Sequence, residues 1–310
     1  MIKILITGGA GYIGSVLTRR LLNQGYNVTI YDNFIYNQNS LIDLAKDKNF
    51  NVINGNILDY KLIEKQIIKH DIIIPLAAIV GAPACSQNPK LAELINLDAN
   101  LNIIKKTSKD QLILYPNTNS GYGKSETVEM CTEETPLKPI SLYGITKCKV
   151  EDYCMQNGNS VCFRLATVFG PSDRMRIDLL VNDFVYRSFK DKYLVLFEEN
   201  FRRNYIHVDD VADAFIFAIK NKNMENNIYN IGLSSANLTK KQLALKIKDH
   251  IKDLYIKSSD YNKDPDKRDY YVSNKKIEDT GWRAKVDLDT GIEQLIKLFS
   301  YLNVSNFNNL

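Results

Sequence analysis

The first 170 residues alternate short apolar runs with longer helical patterns, and this alternation limits the possible fold more than any other feature. Six of the runs have the length and composition of strands: IKILIT, NVTIYD, FNVING, DIIIPLA, QLILYPNT and VCFRLAT. Strands that alternate with helices predict βαβ units and a parallel sheet. The runs are apolar almost throughout, which is typical of a sheet covered by helices on both faces. The sequence therefore predicts an α/β fold with a doubly wound parallel sheet of the Rossmann type.

A less regular pattern follows the string FGP at 169–171. Strands are expected at YLVLF and RNYIHV, and helices over 177–190, 209–220, TKKQLALKIKDHI and about 287–302. From this irregularity we predict a smaller C-terminal lobe that is interleaved with the sheet domain. The predicted boundaries are 1–170 for the sheet domain, with segments near 203–232 returning to it, and 171–202 and 233–302 for the smaller lobe.

Charge and cysteine content exclude several classes of protein. The net charge of +4 is too small to favour nucleic acid or a membrane surface as a partner. Five cysteines without a C-x-x-C spacing suggest neither a disulfide framework nor a zinc site, and favour a reducing cytoplasm. No apolar stretch approaches the roughly 18 residues of a membrane span. The three histidines are scattered, so we expect neither a metal site nor a Ser-His-Asp triad.

A glycine-rich turn joins the first predicted strand to a helix. The string GGAGYIG at 8–14 follows IKILIT and precedes the helical stretch SVLTRRLLNQG. Glycines there let the backbone approach a pyrophosphate, and the helix N-terminus attracts its charge. By itself the G-x-x-G-x-x-G spacing also fits a plain strand-to-helix turn. Asp32 supplies a second signal at the end of the second strand, because a carboxylate accepts both ribose hydroxyls and repels a 2′-phosphate. Together the two features predict NAD rather than NADP.

Tyr143 and Lys147 stand four residues apart on a predicted helix, so their side chains lie on one face. A phenol has an ordinary pKa near 10, and its use as a base at neutral pH requires about 4 kcal/mol of stabilisation of the anion. A neighbouring ammonium can supply much of that. Any helix can carry this pair, so it predicts chemistry only in combination with the cofactor motif.

A family resemblance rests on several motifs in combination: GGAGYIG, Asp32, YGITK with Thr118 twenty-five residues ahead of its tyrosine, FRLATVFGP and FRRNYIHVDDVADA. Together they resemble the extended short-chain dehydrogenases that modify nucleotide sugars, the NAD-dependent epimerase/dehydratase family. The resemblance implies that Tyr143 takes the proton of the sugar 4-hydroxyl while the C4 hydride passes to NAD. It also implies that Lys147 binds the nicotinamide ribose and tunes Tyr143, and that Thr118 bonds the reacting oxygen.

The same resemblance implies two sets of binding residues. The cofactor set comprises Gly8, Gly11, Tyr12, Ile13, Gly14, Asp32, Asn33, Asn56, Ile57, Leu76, Ala77, Ala78, Tyr143 and Lys147. The substrate set comprises Thr118, Asn119, Ser120, Asn182, Arg203 and Arg268, of which the last three are expected at the diphosphate. Asn56 stands where the family usually has an aspartate near adenine. Helices near 91–107 and 142–156 resemble the family's dimer-forming pair, so a homodimer is expected.

Asn119 and Ser120 bear on the choice of reaction. Family members that eliminate water carry an Asp-Glu pair directly after the catalytic threonine. An amide and an alcohol cannot exchange protons usefully near neutral pH, so dehydration is disfavoured. What remains is oxidation at C4, followed either by return of the hydride to the other face (epimerisation) or by release of the 4-keto sugar. A non-catalytic NAD-binding protein is a distant alternative, because the three residues of the expected catalytic set are present.

Five longer strings resemble more narrowly the family members that oxidise GDP-D-glycero-α-D-manno-heptose at C4 in bacterial capsular polysaccharide heptose biosynthesis: PNTNSGYG, MCTEETPLKPIS, MRIDLLVNDF, GLSSANLTK and DPDKRDY. The resemblance implies a nucleotide-sugar 4-dehydrogenase, with a 4-epimerase as the alternative. A dehydrogenase that releases its product needs an oxidant to regenerate NAD. We expect 2-oxoglutarate in that role, because Arg203 and Arg268 could orient its carboxylates.

Overall fold

The computed structural model describes residues 1–124, 129–259 and 268–302. Its strands, numbered along the described chain, are β1 (Lys3–Thr7), β2 (Asn27–Asp32), β3 (Phe50–Asn54), β4 (Ile72–Pro75), β5 (Leu112–Thr118), β6 (Ser160–Leu165), β7 (Thr167–Phe169), β8 (Tyr193–Phe197), β9 (Arg202–His207), β10 (Asn227–Ile231), β11 (Asn237–Thr239) and β12 (Tyr255–Ser259). Residues 264–267 of the string DPDKRDY lie outside the described ranges.

The helices follow the same numbering. The α-helices are α1 (Tyr12–Asn23), α2 (Tyr60–Ile67), α3 (Ala82–Gln87), α4 (Pro89–Glu93), α5 (Asn100–Lys106), α6 (Leu142–Asn157), α7 (Leu180–Asp191), α8 (Val208–Lys220), α9 (Lys240–His250), α10 (Lys275–Asp279) and α11 (Leu288–Phe299). A π-helix (Leu94–Ala99) joins α4 to α5, and 3₁₀ turns occupy Ile42–Lys46, Asn119–Tyr122, Lys222–Met224 and Ser234–Ala236.

A parallel sheet of seven described strands organises the molecule, in the order β10-β6-β5-β4-β1-β2-β3. The order reverses direction at β1, as in doubly wound folds. Side chains alternate between the two faces: Ile4 packs in one core with α1 and α8, whereas Leu5 packs in another with α2 and α5. The predicted doubly wound α/β fold is confirmed.

A further apolar core lies among α7, α9, α11 and β8. Two small sheets accompany it, with the orders β11-β9-β7 and β12-β8. The chain returns from this region to the main sheet through β10, at its edge. This path agrees with an interleaved arrangement, and the exact domain boundaries stay a prediction.

One helix begins later than its sequence pattern predicts. A helix was expected over 177–190, and α7 starts only at Leu180. Leu179 is extended, and the Asn182 amide donates to the carbonyl of Arg176 at 2.8 Å. Arg176 also pairs with Asp178 in the same turn. These local bonds hold 176–179 as a loop that precedes α7.

A buried ion pair fastens α6 to the sheet. Arg164 of β6 donates from Nη2 to Oε1 of Glu151 on α6 at 2.7 Å, and both side chains are almost completely buried. Glu151 also accepts from Asn117 at 2.7 Å, and Arg164 donates to the hydroxyl of Tyr122 at 3.0 Å. The network therefore joins α6 and β6 to the end of β5 and to the turn that follows it.

Replacement of Arg164 by Met should lower the free energy of unfolding by about 3–5 kcal/mol, because the Glu151 carboxylate would remain buried without a counter-ion. Urea denaturation measures the change. Arg283→Met is the matched control, since the Arg283–Glu278 pair is exposed on its arginine side and should contribute less than about 1 kcal/mol. Equal losses in the two variants would contradict a structural role for the buried pair.

Candidate active site

Two adjoining cavities open at the carboxyl edge of the main sheet, with volumes of about 220 and 360 Å³. The first cavity is lined by the glycine loop, the ends of β2 and β4, and α6. The second is lined by Thr118, the segment 178–180, Arg203 and Arg268. Tyr143 is among the residues that line both, so a ligand in either cavity would lie beside its phenol.

Close backbone packing at the glycine loop requires glycine at two positions. Gly8 has a φ of +68°, and a Cβ there would lie 2.6 Å from the backbone of Ala77. A Cβ on Gly14 would lie 2.6 Å from the backbone of Gly9. Helix α1 starts after Gly11, and no side chain caps it. Its first-turn N–H groups are therefore suited to an anion, as the pyrophosphate of NAD requires.

The Asp32 carboxylate is fixed at the end of β2. Its Oδ2 accepts from the Ala10 N–H at 3.0 Å, and its Oδ1 accepts from the Phe34 N–H at 2.8 Å. Burial raises the pKa of Asp32, while these hydrogen bonds act in the opposite direction. Its position on the wall of the first cavity suits a carboxylate that accepts ribose hydroxyls.

Every residue of the predicted cofactor set lines the first cavity. Sequence reasoning missed fourteen further lining residues, among them Tyr36, Gln38, Ile79, Val80, Leu165, Arg174 and Arg176. A signal for the two arginines existed, because the string RMR at 174–176 stands two residues after FGP at 169–171, just beyond the end of β7. The predicted cofactor residues therefore lie around one cavity. The part that each of them takes in binding NAD stays a prediction.

Lys147 is buried against an aromatic ring. Its Nζ lies 4.1 Å from the ring centroid of Tyr115, and its side chain is only 3% exposed. Burial lowers the pKa of Lys147 to about 7. Its charge is therefore sensitive to what binds in the first cavity, because any nearby anion or hydroxyl acceptor favours the ammonium form.

Tyr143 lies in the first turn of α6, one residue before Gly144, whose N–H donates to the Ser141 cap at 3.2 Å. Burial raises the pKa of Tyr143 to about 12, and the positive charges of Arg176 and Arg268 act against that rise. Both arginines line the second cavity. Cationic side chains around the second cavity thus favour the phenolate that a base at this position needs.

Thr118, at the end of β5, and the two residues that follow it differ in whether they line a cavity. Thr118 and Ser120 line the second cavity, and their hydroxyl oxygens are 2.8 Å apart. Arg268 donates to the Ser120 hydroxyl. Asn119 is buried outside both linings, and its side-chain oxygen and nitrogen have no hydrogen-bond partner among the described residues.

The three residues expected at the diphosphate do not all line the same cavity. Arg203 and Arg268 both line the second cavity, and Arg203 donates to the Arg268 carbonyl. Asn182 lies outside both linings, accepts from the Gly170 N–H at 3.1 Å, and supports the loop that carries Arg176. The structure therefore brings the two arginines together, and the substrate role of Asn182 stays a prediction.

Across 1–124, 129–259 and 268–302, no helix combines the length and apolar character needed to cross a bilayer. Within the same ranges, no three His, Cys, Asp or Glu side chains lie together in a way that could hold a metal ion.

The chain belongs to the NAD dependent epimerase/dehydratase family, which its residues 4–232 match. It is 30% identical over 249 residues to the UDP-N-acetyl-alpha-D-glucosaminuronate decarboxylase of Bacillus cytotoxicus, a match that covers 74% of each protein. The structure resembles UDP-glucose 4-epimerase of Thermotoga maritima solved with UDP-glucose, at 26% identity, a TM-score of 0.83 and coverage of 96% and 99%.

A complex of UDP-glucuronic acid 4-epimerase of Bacillus cereus with UDP-glucuronic acid and NAD has the same fold, with a TM-score of 0.85 at 24% identity over 96% of this chain and 99% of that one. The chain is thus an NAD-dependent enzyme of the nucleotide-sugar epimerase/dehydratase class. The family's dependence on NAD confirms the predicted cofactor. When bound, NAD would supply a hydride acceptor.

Replacement of Tyr143 by Phe should reduce turnover by roughly 100-fold or more, because it removes the proton acceptor and keeps the ring. The variant should still bind NAD, as shown by the amount of cofactor that co-purifies. Tyr153→Phe is the control, because Tyr153 lies on the same helix and lines neither cavity. Near-normal turnover of the Tyr143 variant would remove that residue from the mechanism.

Proposed function

We propose that the enzyme oxidises the C4 hydroxyl of GDP-D-glycero-α-D-manno-heptose and releases the 4-keto sugar, in the cytoplasm, for capsular polysaccharide heptose biosynthesis. The observation that carries the proposal is the position of Tyr143 on the wall shared by the two cavities. Five free and buried cysteines fit a reducing compartment.

Each active-site side chain has a distinct part in the proposed oxidation. Arg203 and Arg268 hold the diphosphate, since guanidinium groups suit phosphate oxygens. Thr118 bonds the sugar oxygen at C4, and Tyr143 removes its proton. Lys147 holds the nicotinamide ribose from the first cavity and, when protonated, stabilises the phenolate of Tyr143.

The turn after β5 favours oxidation without loss of water. Elimination needs an acid and a base near the sugar, and the two residues after Thr118 supply an amide and an alcohol. The Ser120 hydroxyl is engaged by Thr118 and Arg268, while Asn119 lies outside the cavity lining. These contacts support a binding or structural role for the pair in place of proton transfer.

The heptose and the guanosine are supported by where the five longer strings fall. Each string contributes at least one residue to the lining of the second cavity: Thr118 from PNTNSGYG, Ser141 from MCTEETPLKPIS, Asp178 from MRIDLLVNDF, Lys240 from GLSSANLTK and Arg268 from DPDKRDY. A resemblance concentrated on the substrate side of a shared fold supports a shared substrate, because specificity resides in the site and not in the scaffold.

A nucleotide-sugar 4-epimerase is the second candidate, and the likeness to the UDP-glucose 4-epimerase of Thermotoga maritima favours it. Both reactions begin with the same oxidation by the same side chains. They differ in whether the 4-keto sugar is reduced again before it leaves. A homodimer is proposed for either case, supported by apolar side chains exposed on α6 (Ile145) and on the neighbouring π-helix (Leu94).

Release of the 4-keto sugar requires a second oxidant, and we propose 2-oxoglutarate. Its two carboxylates suit Arg203 and Arg268 in the second cavity once the sugar has left. The keto acid is reduced to 2-hydroxyglutarate, with uptake of one hydride and one proton, and oxidised NAD is regenerated. The two halves of the reaction therefore balance.

The proposal is tested with purified holoenzyme and GDP-D-glycero-α-D-manno-heptose, with and without 2-oxoglutarate. A single stoichiometric turnover is expected without the keto acid, seen as lasting near-ultraviolet absorbance of NADH. Continuous formation of 4-keto product is expected when the keto acid is present. Accumulation of the C4 isomer without an acceptor would identify an epimerase, and activity on UDP-glucose alone would contradict the guanosine and heptose assignment.

The double variant Asn119→Asp with Ser120→Glu should form at most a trace of 4-keto-6-deoxy product, because Ser120→Glu adds a carboxyl group to the second cavity whereas a carboxyl group at 119 would lie outside its lining. Mass spectrometry detects the loss of one water. Asn119→Gln with Ser120→Thr is the matched control, since it changes the same positions without adding a carboxylate. Dehydration by the unmodified enzyme would show that these two positions do not decide the reaction.

A further inference from the structure

Two buried arginines on the loop after β7 line the first cavity. Arg174 is 5% exposed and Arg176 is 7% exposed, although both stand in a connecting segment. Arg174 lines the first cavity alone, and Arg176 lines both cavities. Arginine is rarely buried in a loop without a reason, because desolvation of a cation is costly.

The loop is held against the first turn of α1. Ser172 donates from Oγ to the Tyr12 carbonyl at 2.7 Å, and its hydroxyl lies 3.0 Å from that of Ser15. The Tyr12 hydroxyl in turn donates to the Gly170 carbonyl at 2.6 Å. These bonds bring Arg174 to the same wall of the first cavity as the glycine loop and the positive end of α1.

A second loop, after β2, meets the first at the Tyr36 ring. The guanidinium carbon of Arg174 lies 4.9 Å from the ring centroid of Tyr36, and both residues line the first cavity. Arg19 ties the bases of the two loops together, because it pairs with Asp173 at 2.9 Å and donates to the Ser40 carbonyl at 2.7 Å. The contact between Arg174 and Tyr36 therefore lies between two loops whose bases are joined by Arg19.

The charges in this corner favour an anion. Arg174 and Arg176 are two residues apart, and Asp178 binds Arg176 through both of its carboxylate oxygens. Burial lowers the pKa of Arg174, and the charge of Arg176 lowers it further. A bound anion would relieve this repulsion, and a guanidinium fork matches phosphate geometry. The pyrophosphate is the anionic part of NAD.

We propose that Arg174, stacked on Tyr36, clasps the pyrophosphate of NAD and keeps the cofactor resident through successive turnovers. The proposal deepens the proposed function and rests on it in one respect: a resident cofactor explains why a second substrate must regenerate NAD in place. Arg176 joins the clasp to the second cavity, since it lines both.

The test measures how fast holoenzyme exchanges its cofactor with excess isotopically labelled NAD, in the absence of any sugar. Arg174→Gln should accelerate release by about 10- to 100-fold, the loss expected for one hydrogen bond to a charged group. Tyr36→Ala should accelerate it by about 2- to 30-fold, the loss expected for one cation–π contact. Tyr36→Phe keeps the ring and should release NAD at the wild-type rate. Arg283→Gln removes an exposed arginine that lines neither cavity and should also have no effect.

Wild-type release from both Arg174→Gln and Tyr36→Ala would overturn the proposal. So would unchanged NAD release combined with a loss of affinity for GDP, because that result would assign the arginine to the substrate. If Arg174→Gln fails to fold, as judged by circular dichroism and Tm, the Tyr36→Ala and Tyr36→Phe pair decides the question. No sugar enters the measurement, so an error in the proposed substrate leaves its outcome unaffected.

Discussion

The parallel direction of the seven strands is the constraint on which the rest of the site depends. Because the strands run the same way, their carboxyl ends meet at one edge. The glycine loop leaves β1 there, Asp32 ends β2, and Thr118 ends β5. Tyr143 reaches the same edge from the first turn of α6, which the buried Glu151–Arg164 pair fastens to the sheet. Residues distant in sequence therefore meet at one edge of the sheet, where the glycine loop, Asp32 and Tyr143 line the first cavity and Thr118 lines the second.

The sequence predicted six of the seven described strands of the main sheet, because a strand buried on both faces is an apolar run that can be recognised without knowledge of its partner. The seventh strand, β10, was missed. The same reasoning did not find β12 or α10. The strand β12 carries exposed and polar side chains and, among the described strands, pairs with β8 alone, so its existence depends on a contact about sixty residues away. The late start of α7 has a similar cause, because the hydrogen bond from Asn182 to Arg176 competes with the first helical turn.

Within the site, the sequence predicted the cavity-lining residues that belong to a backbone motif, and it missed those that reach the cavity because their loop is buried. The glycine loop and Asp32 line the first cavity as expected. Arg174 was missed because a cation in a loop is ordinarily solvated, and its burial arises from contacts between its loop and the start of α1. The pKa of Lys147 is likewise a property of the folded environment, since burial against the Tyr115 ring lowers it to about 7.

Arg176 lines the wall of both cavities, and this shared position has a thermodynamic consequence. A side chain that contacts two ligands couples their affinities, and the coupling is reciprocal by linkage. If a ligand in one cavity changes the affinity of the other cavity for its ligand through this guanidinium, the second ligand changes the affinity for the first by the same factor. Ligand binding in the two cavities is therefore expected to be coupled through this side chain.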